Sequence, residues 1–189
     1  TLFCGYVRAG AIRLKRSVDA ATASPNWVDT VNPPSGSNGI LVRPALDFAQ
    51  SQRVFALTTG TGSAWSTSTD AGVSFHQTSW IDNGVANDWV HIESLAITAD
   101  GERFWCVTDD GTDLSVWEGP APPNPAEMRR LYYLPGAGDG NTTTAEVHLN
   151  PDWAASPTAY LVDRSVVPSA IYVSNNAGST WAARGGPGT

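Results

Sequence analysis

The chain has 189 residues, 41% of them hydrophobic, enough for a domain with its own core, and only 15% are charged. Eighteen glycines, thirteen prolines and eight tryptophans, against a single lysine and a single methionine, describe short apolar runs broken by turns: an all-β composition without a stretch that sustains a long helix. A net charge of −7 with scattered arginines argues against a nucleic-acid partner, which needs clustered Lys and Arg, and no apolar stretch approaches the roughly 20 residues of a membrane span.

Leu2 to Val7 reads as a strand. Ile12 to Ser17 reads as the next and runs into Ser17-Val18-Asp19, with a delayed aromatic at Trp27. The next unit has strands at Leu41 to Phe48 and at Val54-Phe55-Ala56, followed by Ser68-Thr69-Asp70-Ala71-Gly72-Val73-Ser74-Phe75. A third unit has Val90 to Thr98, Phe104-Trp105-Cys106 and Leu114 to Gly119, and then Pro120-Ala121-Pro122-Pro123-Asn124-Pro125. The fourth has Ala145 to Leu149, Ala159-Tyr160-Leu161 and Ser174-Asn175-Asn176-Ala177-Gly178-Ser179-Thr180-Trp181.

Two of these segments share the box S-x-(D/N)-A-G-x-(S/T)-aromatic. They lie 106 residues apart, from Ser68 to Ser174, so one intervening unit gives a period of 53. The proline-rich segment after Leu114 to Gly119 is the decayed box of that unit, and Ser17 lies 51 residues before Ser68. The repeat is therefore strand A, strand B, strand C, box turn, strand D. Four antiparallel strands at this period make the blade of a β-propeller. The blades run over about 1–38, 39–88, 89–141 and 142–184, with a linker-like tail at 185–189. The first lacks strand A. The expectation is about four blades of a larger propeller, completed by its remaining blades or by another chain; a four-bladed ring with one incomplete blade is the alternative.

The two boxes resemble the Asp-box, or BNR, repeat of sialidase-like and sortilin-like propellers. Leu46-Asp47-Phe48-Ala49 and Asn150-Pro151-Asp152-Trp153-Ala154, each placed before a strand B, resemble bacterial surface propellers of the same group. The resemblance covers nearly the whole chain and implies blade architecture. It implies no single function, because the repeat occurs in enzymes, receptors and assembly factors.

The box residues Ser68, Asp70, Gly72 and Phe75, with Ser174, Asn176, Gly178 and Trp181, are read as structural. Ser and Asp accept turn N–H groups, glycine supplies a positive φ, and the aromatic enters the layer between sheets. The other reading, Asp70 as a catalytic or metal-binding carboxylate, has less behind it, since turn chemistry already accounts for an Asp there. Sialidases hold a carboxylate with three arginines; this chain has Arg43-Pro44 without the intervening residue of that motif, and Arg129, Arg130, Tyr132 and Tyr133 without a Tyr–Glu partner. Facing carboxylates of a glycosidase have no flanking signature. Asp109-Asp110-Gly111-Thr112-Asp113 reads as a hairpin tip in preference to a calcium site. His91 and His148 fall at similar places in successive strands A, and no His–Cys cluster suggests zinc. No cofactor or metal is expected.

Trp80, Trp89, Tyr132 and Tyr133, in loops or at strand ends, are the candidate ligand contacts, able to stack on a glycan or anchor a partner. The two cysteines occupy equivalent strand-B positions with a whole blade between them, so Cys4 and Cys106 are expected as separate buried thiols, equivalent to Ala56 and Leu161. The scarcity of lysine and the sequon Asn141-Thr142-Thr143 fit an extracellular or cell-surface location. The functional expectation is a non-enzymatic propeller module for ligand binding or assembly. The alternative is part of a glycoside hydrolase whose catalytic residues lie partly outside this chain.

Overall fold

The computed structural model describes residues 1–80, 91–99, 101–120, 128–137, 145–165 and 169–185. The fold is all-β, and the chain divides into two compact units, Thr1–Asp88 and Trp89–Thr189. In the first, β1 (Leu2–Arg8), β2 (Ala11–Ser17) and β3 (Val28–Asp29) make a three-stranded sheet. Its second sheet is four-stranded: β4 (Ile40–Pro44), β5 (Val54–Thr58), β6 (Ala64–Ser68) and β7 (His76–Trp80). The second unit also has two four-stranded sheets. One holds β8 (His91–Ile97), β9 (Arg103–Asp109), β10 (Leu114–Pro120) and β11 (Arg129–Leu134). The other holds β12 (Ala145–Leu149), β13 (Ala159–Asp163), β14 (Ala170–Ser174) and β15 (Ala182–Arg184). All four are antiparallel meanders with neighbours in sequence adjacent in space, the form of propeller blades. The first blade lacks the strand A that the other three have. Among the described residues no helix is long and apolar enough to cross a membrane.

The repeat is in register at the level of single rungs. Ser17 pairs with Leu2, Ser68 with Val54, Gly119 with Phe104 and Ser174 with Ala159. The residue after each of these strand-B partners is aromatic: Phe3, Phe55, Trp105 and Tyr160. Since a strand alternates its faces, these four rings point one way and the residues that directly follow them, Cys4, Ala56, Cys106 and Leu161, point the other.

Within each unit that alternation builds the core. Phe3 and Leu14 of the first blade pack with Val54, Ala56 and Phe75 of the second. Trp105, Val107 and Val116 of the third pack with Ala145, Val147, Ala159 and Leu161 of the fourth. β5 is buried on both faces, so its sequence reads as a continuous apolar run, Val54 to Leu57. Phe55 lies flat on Trp65, ring centroids 5.3 Å apart.

Hydrogen bonds also join the blades. After β3 the chain runs parallel to the second box: the Val31 N–H donates to the Val73 carbonyl and the Phe75 N–H to that of Asn32, both at 2.8 Å. In the other unit a β-bulge between Ile92 and Ser94 breaks the β8 ladder. There Glu93 accepts the Ala145 N–H and Ser94 Oγ the Val147 N–H, both at 3.2 Å, which satisfies two donors on the free edge of β12.

Three expectations need correction. The strand expected from Leu41 to Phe48 ends at Pro44, and Phe48–Ser51 forms one helical turn, α1. Asp47 holds that turn: it accepts the Ser51 hydroxyl at 2.8 Å and pairs with Arg53 at 3.2 Å, while Gln52 closes the turn with φ 54°. Both cysteines are free, but only Cys106 is buried; Cys4 is exposed. It lies on the face of β1 opposite Phe3, and no described sheet covers that face within the unit. Finally, His91 and His148 are not equivalent. His91 opens β8 opposite Asp109, whereas His148 lies opposite Tyr160 near the end of β12.

Candidate functional site

The box turns close on themselves. Ser68 Oγ donates to Asp70 Oδ1 at 2.6 Å and accepts the Gly72 N–H at 2.9 Å. Asp70 Oδ1 also accepts the Val73 and Ser74 N–H groups at 3.0 Å, and Oδ2 takes the Ser74 hydroxyl at 2.6 Å. Burial pushes the Asp70 carboxyl up, but the Ser68 and Ser74 hydroxyls and the two N–H donors outweigh it and hold the pKa at about 2. Asn176 rebuilds the same turn without charge. Its Oδ1 accepts the Ser174 hydroxyl at 3.0 Å and the Thr180 N–H at 2.9 Å, and its Nδ2 donates to Thr180 Oγ1 at 2.9 Å. In the first blade Ser17 donates to Asp19 at 2.7 Å, and the Asn26 N–H completes the turn. The carboxylate oxygens of Asp70 are thus taken up by its own turn.

Gly72 and Gly178 have φ of 80° and 78°, and each also seats a ring from the preceding blade. A Cβ at Gly72 would collide with Phe3; one at Gly178 would lie 2.8 Å from Trp105 Cη2. The same rings meet aromatics of the loops between strands A and B. Phe3 stands edge-on to Phe48 at 5.9 Å, and Trp105 edge-on to Trp153 at 5.3 Å. Phe48 lies six residues before Val54 and Trp153 six before Ala159, so these pairs are equivalent. Phe75 is buried among the same residues as Phe3, and Trp181 stacks on Tyr132.

Of the four candidate contact aromatics, one keeps an exposed ring among the described side chains. Trp89 lies outside the described residues, and Trp80 is placed by its backbone alone, opposite Ala64 in β7. Tyr132 is half-buried and packs its ring 5.4 Å from Trp181 and 5.5 Å from Tyr172. Tyr133, on the other face of β11, is 44% exposed. Its hydroxyl donates to Asp113, which raises the phenol pKa and lowers that of the carboxyl; Asp113 also accepts the Gly136 N–H at 2.7 Å.

A bulge between Val116 and Trp117 sets Trp117 opposite Arg130 and Ser115 opposite Tyr133. The Arg130 guanidinium carbon lies 5.9 Å from the Trp117 ring centre and 5.0 Å from that of Tyr133, a cation–π contact with both. Trp117 Nε1 is fixed by Thr108 Oγ1 at 2.9 Å. Sequence reasoning named Arg130 beside Arg129 but missed its contact with Trp117, since their meeting depends on the bulge. It also missed Glu118, 3% exposed, whose two oxygens take Arg103 at 2.9 Å and Arg129 at 2.6 Å. Arg129 is therefore occupied by an ion pair.

Trp117, Arg130, Tyr133 and Asp113 form a surface patch of one clamped cation, one exposed ring and one carboxylate. Such a patch offers a face for stacking and both signs of polar group beside it. Asp109-Asp110-Gly111-Thr112-Asp113 is a hairpin tip, with Asp110 Oδ1 accepting the Thr112 and Asp113 N–H groups at 3.0 and 2.9 Å. Among the described residues no three of His, Cys, Asp and Glu are grouped to hold a metal ion. Arg43 is exposed near the end of β4.

The blades make this a β-propeller type of fold. Neither a protein-family model nor a curated protein matches the chain. Solved structures do: one from a nidogen/laminin complex, at 12% identity and TM-score 0.53, over 95% of this chain and 59% of that one. A protein from Lactobacillus plantarum matches at 12% identity and TM-score 0.56, over 97% and 52%. A GH74 enzyme of Niastella koreensis matches at 14% identity and TM-score 0.47, over 95% and 23%, too low a score to carry an argument. The likeness at these identities is one of fold. The chain spans between half and three-fifths of the length of the first two structures.

Proposed function

We propose that this chain is an Asp-box propeller module, extracellular or at the cell surface, that binds a partner without catalysing a reaction. The observation that carries the reading is the patch of Trp117, Arg130, Tyr133 and Asp113. It combines the exposed Tyr133 ring and the half-buried Trp117 ring with the Arg130 guanidinium between them, while Asp70, Asp110 and Glu118 are held in turns or ion pairs. Ring faces beside a carboxylate and a guanidinium suit the C–H faces and hydroxyls of a sugar, so a glycan is the ligand class proposed. The test is a glycan array followed by titration calorimetry with wild-type protein and Tyr133→Ala. Tyr133→Ala is expected to weaken binding at least tenfold with the melting temperature nearly unchanged. Turnover of any bound glycan by wild-type protein would overturn the non-enzymatic reading. Binding unaffected by Tyr133→Ala would remove the patch from it.

A further inference from the structure

Arg130 is set apart from three other arginines of its unit by what holds it. Arg103 and Arg129 share the carboxylate of Glu118, at 2.9 and 2.6 Å, and Arg164 pairs with Glu146 at 2.8 Å. Arg130 is exposed, and among the described residues no carboxylate, carbonyl or hydroxyl takes its guanidinium. Two rings hold it instead: the guanidinium carbon lies over Trp117 at 5.9 Å and over Tyr133 at 5.0 Å. A ring quadrupole attracts the cation, but it leaves the charge unneutralised and the N–H donors without an acceptor.

The arrangement is built by the sheet. The bulge in β10 sets Trp117 opposite Arg130 and Ser115 opposite Tyr133, so Arg130 and Tyr133 share a face although three residues apart. Both rings are anchored at their polar ends, Trp117 Nε1 on Thr108 Oγ1 at 2.9 Å and the Tyr133 hydroxyl on Asp113. Asp113, the carboxylate of the patch, is thereby engaged at the hydroxyl end of Tyr133 and by the Gly136 N–H, while Arg130 faces the ring centre. A guanidinium held over rings keeps its planar fork of N–H donors at its edge. Such a fork takes two oxygens of one oxyanion side by side, and its prior ordering lowers the cost of binding.

We propose that Arg130 binds an oxyanion carried by the glycan, a carboxylate or a sulfate ester on a sugar residue that stacks against Tyr133. With 5.0 Å between guanidinium carbon and ring centre, one sugar can make both contacts, its C–H face on the ring and its charged substituent on the guanidinium. The inference rests on the glycan reading of this patch and deepens it from sugars in general to acidic sugars. The chain as a whole carries a net charge of −7, so its overall field does not draw anions in, and the preference is local to Arg130.

The test is titration calorimetry of the 189-residue protein with two pairs of probes. One pair is trigalacturonate and its fully methyl-esterified form; the other is a sulfated galactan trisaccharide and its desulfated form. Wild-type protein is expected to bind at least one charged probe about tenfold or more tighter than its uncharged partner, and which pair shows the ratio separates carboxylate from sulfate. Arg130→Gln should abolish the ratio and leave the affinity for the uncharged form unchanged. Arg130→Lys, which keeps the charge without the fork, should retain part of it. Tyr133→Ala should weaken both members of the pair. Arg130 is exposed, so the melting temperatures of its variants should stay near that of wild type. Equal affinity within both pairs, or a ratio that survives Arg130→Gln, would overturn the oxyanion assignment and leave the glycan reading standing. Failure of wild type to bind either charged probe would also overturn it, and the wider glycan array would still decide the glycan reading separately.

Discussion

Asp70 and Asn176 show one turn built with and without a charge. Asp70 is held at about 2, below its ordinary 3.8, so the unfolded chain takes up this proton first as pH falls. Its contribution is complete above about pH 4 and is lost as the pH falls toward 2. Asp70→Ala is expected to lower stability by about 1–2 kcal/mol at pH 7, from unpaired turn N–H groups and the lost carboxylate. Urea melts at pH 7 and pH 2.5 should show the difference shrinking with acid. Asp70→Asn, copying the other box, should recover most of the loss and flatten the pH dependence. The glycines divide by what surrounds them. Gly136 has φ 71° and open space, while Gly178 has φ 78° with Leu131 and Trp105 against it. Gly136→Ala should cost about 1 kcal/mol of backbone strain, and Gly178→Ala about 2–4 because the rings must also move. Denaturant midpoints decide between them. The boxes were legible in the sequence because Ser, Asp and Gly act within five residues of one another. The Trp117–Arg130 contact was not, since nothing local announces which residue a bulge will set opposite which.

At the scale of the strand, the B strands carry the packing. Trp105 is fully buried against Trp153 and Trp181, so Trp105→Ala should cost about 3–5 kcal/mol and lower the denaturant midpoint accordingly. Its fellow in register, Tyr160, is exposed, and Tyr160→Ala should change the stability of the monomer by far less. The cysteines make the same contrast chemically. Cys106 is buried and its thiol is pushed far above the ordinary range by desolvation. Thiol titration of the native protein should label Cys4 quickly and Cys106 only on unfolding, giving one and then two groups. The strand-B register was legible because the rows are apolar and evenly spaced. The exposure of Cys4 was not, because it is set by which blade faces carry a neighbour and not by anything in β1 itself. The helical turn at Phe48–Ser51 also escaped, since Leu46-Asp47-Phe48 continues an apolar run and the Asp47–Ser51 and Asp47–Arg53 ties that bend it are side-chain contacts.

For the whole molecule, four meanders in one register follow from a 51- to 53-residue repeat that two boxes and four strand-B rows already display. The surface patch needed the folded sheet. With an acidic surplus and a pI near 4.7, the protein should be least soluble around that pH, and added salt should matter most there. A turbidity scan from pH 3 to pH 8 checks it.

The seating of Phe3 and Trp105 has a consequence for how such a chain can change length. Within each unit the earlier repeat carries the key and the later repeat the lock, so the match is between neighbours and not within a blade. Gaining or losing one complete repeat brings a new key to an old lock of the same shape. Gaining or losing ten residues in mid-strand displaces the ring of that repeat from the lock it would fill. Growth by duplication of whole repeats is therefore the cheap route for this architecture, and small insertions belong in its turns.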